Sequence, residues 1–372
     1  MSDDDLPAPD QAPGAPHPRE TRHLFGQDVA EADFLSSFAT GRMHHGWLLT
    51  GPEGVGKATL AWRIARFLLA TPPAEEDGLF GAPPPPKTLD IDPEHPVARR
   101  ILAGADPGLA TITRSANDQG RLREQIVVED VRRLSRFFGL SSADGGRRVV
   151  IVDAADEMNT SAANALLKML EEPPARTTLL LVSHQPTRLL PTIRSRCRVL
   201  RLQPLGPDDM ARALEQAGAE LPPDTAALSA LAAGSVGAAL RLLALDGLGQ
   251  YDRLVALLGP LPRLDRPAAL KLADSAAGRG AAESFDLLLT LVDILLSRLA
   301  RTGATGTPPE PQAARNEAEI LARLAPDPHK ARAWAALAAT VSARGRHGQA
   351  VNLDPAALVL DTVFKIQETA AG

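Results

Sequence analysis

Seven residues, Gly51-Pro-Glu-Gly-Val-Gly-Lys57, set three glycines and a lysine at the spacing Gly-x-x-x-x-Gly-Lys. That spacing suits phosphate binding. Glycines let successive backbone N–H groups turn inward around an anion, and Lys57 adds a positive charge. A helix beginning there would point its positive end at the same place. An ordinary glycine-rich turn is the alternative, but the apolar run before the loop and the helical pattern after it fit a phosphate loop. The next position departs from the pattern. A Ser or Thr hydroxyl normally ligates magnesium there, and this chain has Ala58. Thr59 follows, but one helical step turns a side chain by about 100°, so it is a poor substitute. A second carboxylate, Asp153, ends another apolar run, where an aspartate near the metal belongs. Asp156 and Glu157 read as first-turn acids that complement a helix dipole.

These residues need a scaffold, and the flanking patterns supply one. Trp47–Thr50, Val149–Val152, Thr178–Val182 and Val199–Leu202 read as short buried strands of a parallel sheet. Leu60, Ile64, Phe67 and Leu68 recur at helical spacing over 58–70. A further helix starts near Asn159–Ser161 and is stopped by Pro173-Pro174. Strand and helix in this rhythm make a doubly wound α/β domain. The stretch 71–108, with Pro83 to Pro86, reads as an irregular surface insert.

Of the 372 residues, 44% are apolar and 3% aromatic, with a formal net charge of -5. This composition describes a globular chain of two or three domains and argues against strong autonomous DNA binding, which needs clustered cations. Arg121, Arg123, Arg132, Arg133 and Arg136 form one basic cluster around an expected strand-helix segment. It reads first as a solvated face and secondarily as a contact to nucleic-acid phosphates. The single cysteine, Cys197, leaves no intrachain disulfide and no Cys-based zinc site, in keeping with a cytoplasmic location. The acidic, Pro-rich first 20 residues lack the features of a signal peptide and read as a disordered tail. After residue 205 Ala and Leu dominate and the pattern is helical. Leu287–Leu299 is broken by Asp293 and Arg298 and reads as a buried bundle helix rather than a membrane span. A loop is expected over 302–311. The expected plan is a tail (1–20), an α/β phosphate-loop domain (21–204), a small helical domain (205–246) and a helical bundle (247–372).

The block from Asp153 to Arg198 carries a resemblance. Asn164-Ala-Leu-Leu-Lys-Met-Leu-Glu-Glu-Pro-Pro174 is followed by Ile193-Arg-Ser-Arg-Cys197. With the phosphate loop at matching distance, the chain resembles the bacterial clamp-loader AAA+ family and, within it, the zinc-less delta-prime type of DNA polymerase III. Leu24-Phe25-Gly26-Gln27 fits the family's entry segment beside the adenine pocket, and Asn352-Leu353-Asp354 resembles the collar helix. The resemblance is specific over 21–204 and general beyond. It makes the second and third regions a helical lid and a collar. Motor subunits of the family have a hydroxyl at the place of Ala58, a catalytic Glu at that of Ala154, and an arginine ending Gly-Ser-x-Arg, where this chain has Gly237. The three losses imply a subunit that does not hydrolyse ATP. They leave ATP or ADP binding at Gly51, Gly54, Gly56, Lys57 and Asp153 open, with magnesium weak or absent, zinc absent and no cofactor required.

Ser195-Arg196-Cys197 matches the motif that such subunits present to a neighbour's ATP. The resemblance therefore implies that Arg196 acts in trans as an arginine finger, binding phosphate oxygens through its planar fork. The residue-level alternative is that Arg194, Arg196, Arg198 and Arg201 are surface charges at a strand edge. Implied partners are motor subunits and a delta-type subunit in a pentameric ring and, through the complex, the sliding clamp and primed DNA. No polymerase site is visible. Two other readings stay open: a motor-type ATPase with Thr59 and Asp156 as displaced replacements, and an interaction protein with an empty phosphate loop.

Overall fold

The computed structural model describes residues 9–12, 14–41, 43–71, 86–139, 146–223, 225–277 and 281–372. Two compact units emerge: residues 1–218 with 234–237, and residues 219–233 with 238–372.

The first unit is built on a five-stranded, all-parallel sheet. In chain order its elements are α1 (Asp28–Ala39), β1 (Gly46–Thr50), α2 (Lys57–Ala70), α3 (Pro96–Leu102), β2 (Leu109–Ile112), α4 (Val128–Gly139), β3 (Arg148–Val152), α5 (Thr160–Glu171), β4 (Thr177–Ser183), α6 (Pro191–Arg194), β5 (Arg198–Arg201) and α7 (Pro207–Gln216). The strand order is β2-β3-β4-β1-β5. Every residue of β1 and β4 is buried, because these central strands are covered on both faces. At the edge, β5 buries only Leu200.

The period of two along each strand sorts the core into two layers. Leu48, Val150, Val152, Leu179 and Leu181 pack with Val131 and Leu134 of α4, Leu166 and Leu170 of α5 and Ile193 of α6. On the other face Trp47 meets Phe34 of α1 at 5.0 Å between ring centres, and Phe34 meets Phe67 of α2 at 6.5 Å. The four strands read from sequence are all present. The edge strand β2 is additional, and its four residues, of which only Ile112 is buried, carry too little pattern to stand out.

Three local expectations need correction. The stretch 71–108 is not irregular throughout. His95 caps α3 by accepting a hydrogen bond from Val97 N, and Val97, Ala98 and Ile101 are buried together with Leu89. Residues Pro83, Pro84 and Pro85 lie outside the described residues. The tail expected over 1–20 is placed at 9–12 and 14–20, because His17 is buried against Trp62. The basic segment 121–136 holds α4 preceded by isolated bridges rather than a strand.

The second unit is helical: α8 (Thr225–Ala232), α9 (Val236–Ala244, whose first two residues belong to the first unit), α10 (Gly247–Leu258), α11 (Arg266–Ala276), α12 (Ala282–Thr305), α13 (Glu317–Leu324), α14 (Pro328–Ala350) and α15 (Pro355–Ala371). The expected bundle helix is α12, which buries Leu288, Leu291, Leu295 and Leu299 at spacings of three and four. It runs to Thr305, so the loop starts later than sequence suggested, at a left-handed Gly306. Asp354 caps α15 by accepting from Ala357 N. Among the described residues no single helix is long and apolar enough to cross a membrane.

Candidate functional site

In a doubly wound sheet ligands bind outside the carboxyl ends of the strands. That edge of the first unit carries the loop Gly51–Gly56 after β1, Asp153 after β3, and Ser183 and His184 at the end of β4. The sheet thus brings together the residues that sequence singled out 100 positions apart.

The loop has the backbone of a phosphate cradle. Gly51, Gly54 and Gly56 have φ of 148°, 73° and 98°, values that put a Cβ under strain. Contacts forbid side chains as well. A Cβ on Gly54 would lie 2.3 Å from Ser235 Oγ, and one on Gly56 would lie 2.5 Å from Leu24 Cδ1. Leu24 and its neighbours are held by Gln27, whose Nε2 donates to the carbonyls of Val55 (3.2 Å) and Gln203 (2.7 Å). A cleft of about 400 Å³ opens beside Leu24, Phe25 and Gly26, with Arg63, Asp90 and Arg212 in its walls. Helix α7, assigned from sequence to the second domain, closes this cleft within the first unit: Gln216 bonds His23 in both directions, and the Arg212 guanidinium covers the Phe25 ring at 4.4 Å.

Lys57 is buried, and its ammonium donates to the carbonyls of Gly51 (2.8 Å) and Pro52. Burial lowers its pKa to about 8, against the pull of Asp153, Glu53 and Asp156. Burial raises Asp153 to about 7, helped by the charge of Asp10 and opposed by Lys57. Thr59 is half-buried on α2.

The Asp153 shift has a stability consequence. Its folded pKa of about 7 exceeds its ordinary 3.8. Between those values the folded chain holds a proton that the unfolded chain releases, so stability falls as pH rises through that window. Asp153→Asn is expected to flatten this slope and to raise stability at pH 8. Thermal melts of both proteins at pH 5 and pH 8 check it; parallel shifts would refute the assignment.

Asp156 does something other than complement a helix dipole. It lies on a 3-10 turn, Ala155–Glu157, ahead of α5, and its carboxylate accepts from His184 N (3.1 Å) and Gln185 N (2.9 Å). It thereby ties the end of β3 to the end of β4. Glu157 pairs with Arg114 at 2.9 Å. Ala154 is buried and brings no polar group to the site. Gly237, in the 234–237 segment of the first unit, donates its N–H to Gly54 O at 3.3 Å. Two polar groups here were not anticipated: Ser183 Oγ and His184 Nδ1 are buried without a hydrogen-bond partner at the end of β4. Sequence offered no signal for them beyond their place after an apolar run.

Arg196 lies outside this cluster, on the turn between α6 and β5. Its guanidinium donates to Thr192 O (3.1 Å) and pairs with Glu171 at 2.9 Å, both side chains being well exposed. Glu171 was visible in the Leu-Glu-Glu-Pro run, but nothing in the spacing linked it to Arg196. Ser195 Oγ donates to Thr192 O, which fixes the turn. Cys197 is free, and burial raises its thiol pKa to about 12. It is therefore a packing residue, within 3.4 Å of where a Cβ on Gly46 would stand. Iodoacetamide at pH 8 is expected to leave Cys197 unmodified in the folded chain and to alkylate it in denaturant, as mass spectrometry would read. In the basic cluster Arg132 and Arg133 are exposed and make long pairs with Glu129 and Asp130. Among the described residues no group of three or more His, Cys, Asp or Glu could hold a metal ion.

Residues 26–206 match the family described as DNA polymerase III, delta subunit. The delta-prime subunit of DNA polymerase III from Pseudomonas aeruginosa is 38% identical over 234 residues, covering 62% of this chain and 65% of the relative. The delta-prime subunit from Escherichia coli is 34% identical over 212 residues, 56% of this chain and 57% of the relative. A gamma/tau subunit of DNA polymerase III from Mycobacterium bovis is 31% identical over 288 residues, 72% of this chain and 45% of the relative. The chain thus spans less than two thirds of the length of these curated relatives.

Proposed function

We propose that this chain, which matches the family described as DNA polymerase III, delta subunit, over residues 26–206 and resembles delta-prime subunits at 34–38% identity, serves in a clamp loader as a delta-prime-type subunit that does not hydrolyse ATP. In this reading it sits at one end of a pentameric ring with motor subunits and a delta-type subunit. It presents Arg196 to the neighbouring motor's ATP. The assembly then places a sliding clamp on primed DNA during replication in the cytoplasm. The observation that carries the reading is the state of the chain's own phosphate site. The loop backbone is intact, while Ala58, Ala154 and Gly237 leave no metal hydroxyl, no carboxylate to orient water and no sensor arginine. Magnesium normally bridges the β- and γ-phosphates, and a positioned residue orients the attacking water. With both functions missing, bound ATP or ADP would act as structure rather than fuel.

The competing motor reading needs Asp156 as a replacement carboxylate, and both of its oxygens are taken up by the amides of His184 and Gln185. Purified chain with ATP, Mg²⁺ and primed DNA is expected to show no turnover. When mixed with motor and delta-type subunits it is expected to join them in a stable complex. Turnover by the chain alone would favour the motor reading, and failure to enter the complex would overturn the clamp-loader reading.

A further inference from the structure

The segment just before the α/β domain reaches Gly237, whose N–H is bonded to the phosphate loop. Residues 9–12 and 14–17 are held by a turn in which Ala15 N donates to Ala12 O (3.0 Å) and Gln11 Nε2 donates to Ala15 O (2.6 Å). His17 Nδ1 accepts from Arg19 N (3.1 Å), so Nε2 faces Asp10, and the two side chains pair at 3.2 Å with only 10% of each exposed. The His17 ring stands edge-on to Trp62 of α2 at 5.5 Å. At its other end the segment reaches Gly237. A Cβ on that glycine would lie 3.2 Å from Gly54 Cα and 3.8 Å from Ala12 Cβ. The residue that has lost its side chain is therefore flanked by the phosphate loop on one side and by Ala12 on the other.

From this geometry we infer that residues 9–12 and 14–17 form a strap, carrying Asp10, that competes with nucleotide for the phosphate loop. Anchors at His17–Trp62 and Ala12–Gly237 fix the segment at both ends, and Asp10, paired with His17, is held where its charge acts on Asp153. A nucleotide brings several negative charges to the same concavity and would meet a fixed carboxylate there. Gly237 makes the arrangement sterically feasible, because a long side chain at that position would take the space Ala12 uses. The inference rests on reading Gly51–Lys57 as a phosphate loop. It is independent of whether Arg196 acts in a ring.

Two measurements on the isolated chain test it. A fluorescent ADP analogue is titrated into the full chain and into a variant lacking residues 1–16. If the strap is closed nine-tenths of the time, its removal tightens the apparent Kd by about tenfold. The second measurement uses the full chain with Ala12→Cys and Gly237→Cys, whose Cβ separation suits a disulfide. Oxidation is expected to form the cross-link and suppress binding of the analogue, and reductant is expected to restore it. The inference is overturned if the cross-link does not form under oxidant. It is equally overturned if the full, shortened and cross-linked chains bind alike, including the case in which none binds. No ring is present in either assay, so a failure here is distinct from a failure of the clamp-loader reading.

Discussion

On the proposed clamp-loader reading, a complex rebuilt with Arg196→Ala should assemble normally and lose ATP turnover at the neighbouring motor's site by roughly 10³-fold or more, the range for arginine fingers. Assembly should survive because Arg196 contributes little to this chain's own stability. Its pair with Glu171 is exposed at both ends, and such pairs contribute up to about 1 kcal/mol. The same weakness frees the guanidinium to exchange Glu171 for phosphate. Arg196→Lys should fail nearly as badly, because an ammonium keeps the charge but not the planar fork. Single-turnover hydrolysis and DNA-stimulated clamp loading provide the readouts. Unchanged rates with Arg196→Ala would remove the residue from the mechanism and leave it a surface charge.

The second large effect lies in the helical unit. Glu317 is completely buried at the start of α13. Its carboxylate accepts from Tyr251 Oη (2.6 Å), Arg298 Nε (2.6 Å), Arg298 Nη2 (3.0 Å) and Ala313 N (2.6 Å). Arg298 also donates to the carbonyls of Pro309 and Pro311, so the network ties α10, α12 and α13 to the loop between the last two. Burial and the neighbouring carboxylate push the Tyr251 hydroxyl upward, keeping it a donor at all ordinary pH. Glu317→Ala strands the buried Arg298 charge, which costs about 3–5 kcal/mol in comparable sites. Glu317→Gln keeps two acceptor positions and should cost less. Trp334 and Tyr251 are both buried in this unit, so near-UV circular dichroism during urea unfolding follows it. A loss under 1 kcal/mol would show that water or a shifted side chain replaces the network.

Sequence determined the parts of this protein that depend on neighbours along the chain. The phosphate loop is a matter of φ angles and small residues within seven positions, and it folds as the glycines dictate. The buried strands are continuous apolar runs, and the helix after Asn159 has its cap and its stop in the same stretch. Ala58, Ala154 and Gly237 are read directly as missing groups. Everything that needed a partner far along the chain was decided by tertiary structure. Asp156 looked like a helix-dipole acid because its partners, the amides of His184 and Gln185, are 28 and 29 residues away. Glu171 meets Arg196 only because α5 and the turn before β5 end on the same side of the sheet. The N-terminal segment was polar enough to look disordered, yet one imidazole edge on Trp62 and one glycine without a side chain give it a place. Glu317 and Arg298 gave no periodic signal, since charges within helical patterns usually face water. Local pattern reports which backbone a segment can adopt. Which polar groups lose water, and what then satisfies them, is fixed only when distant segments pack together.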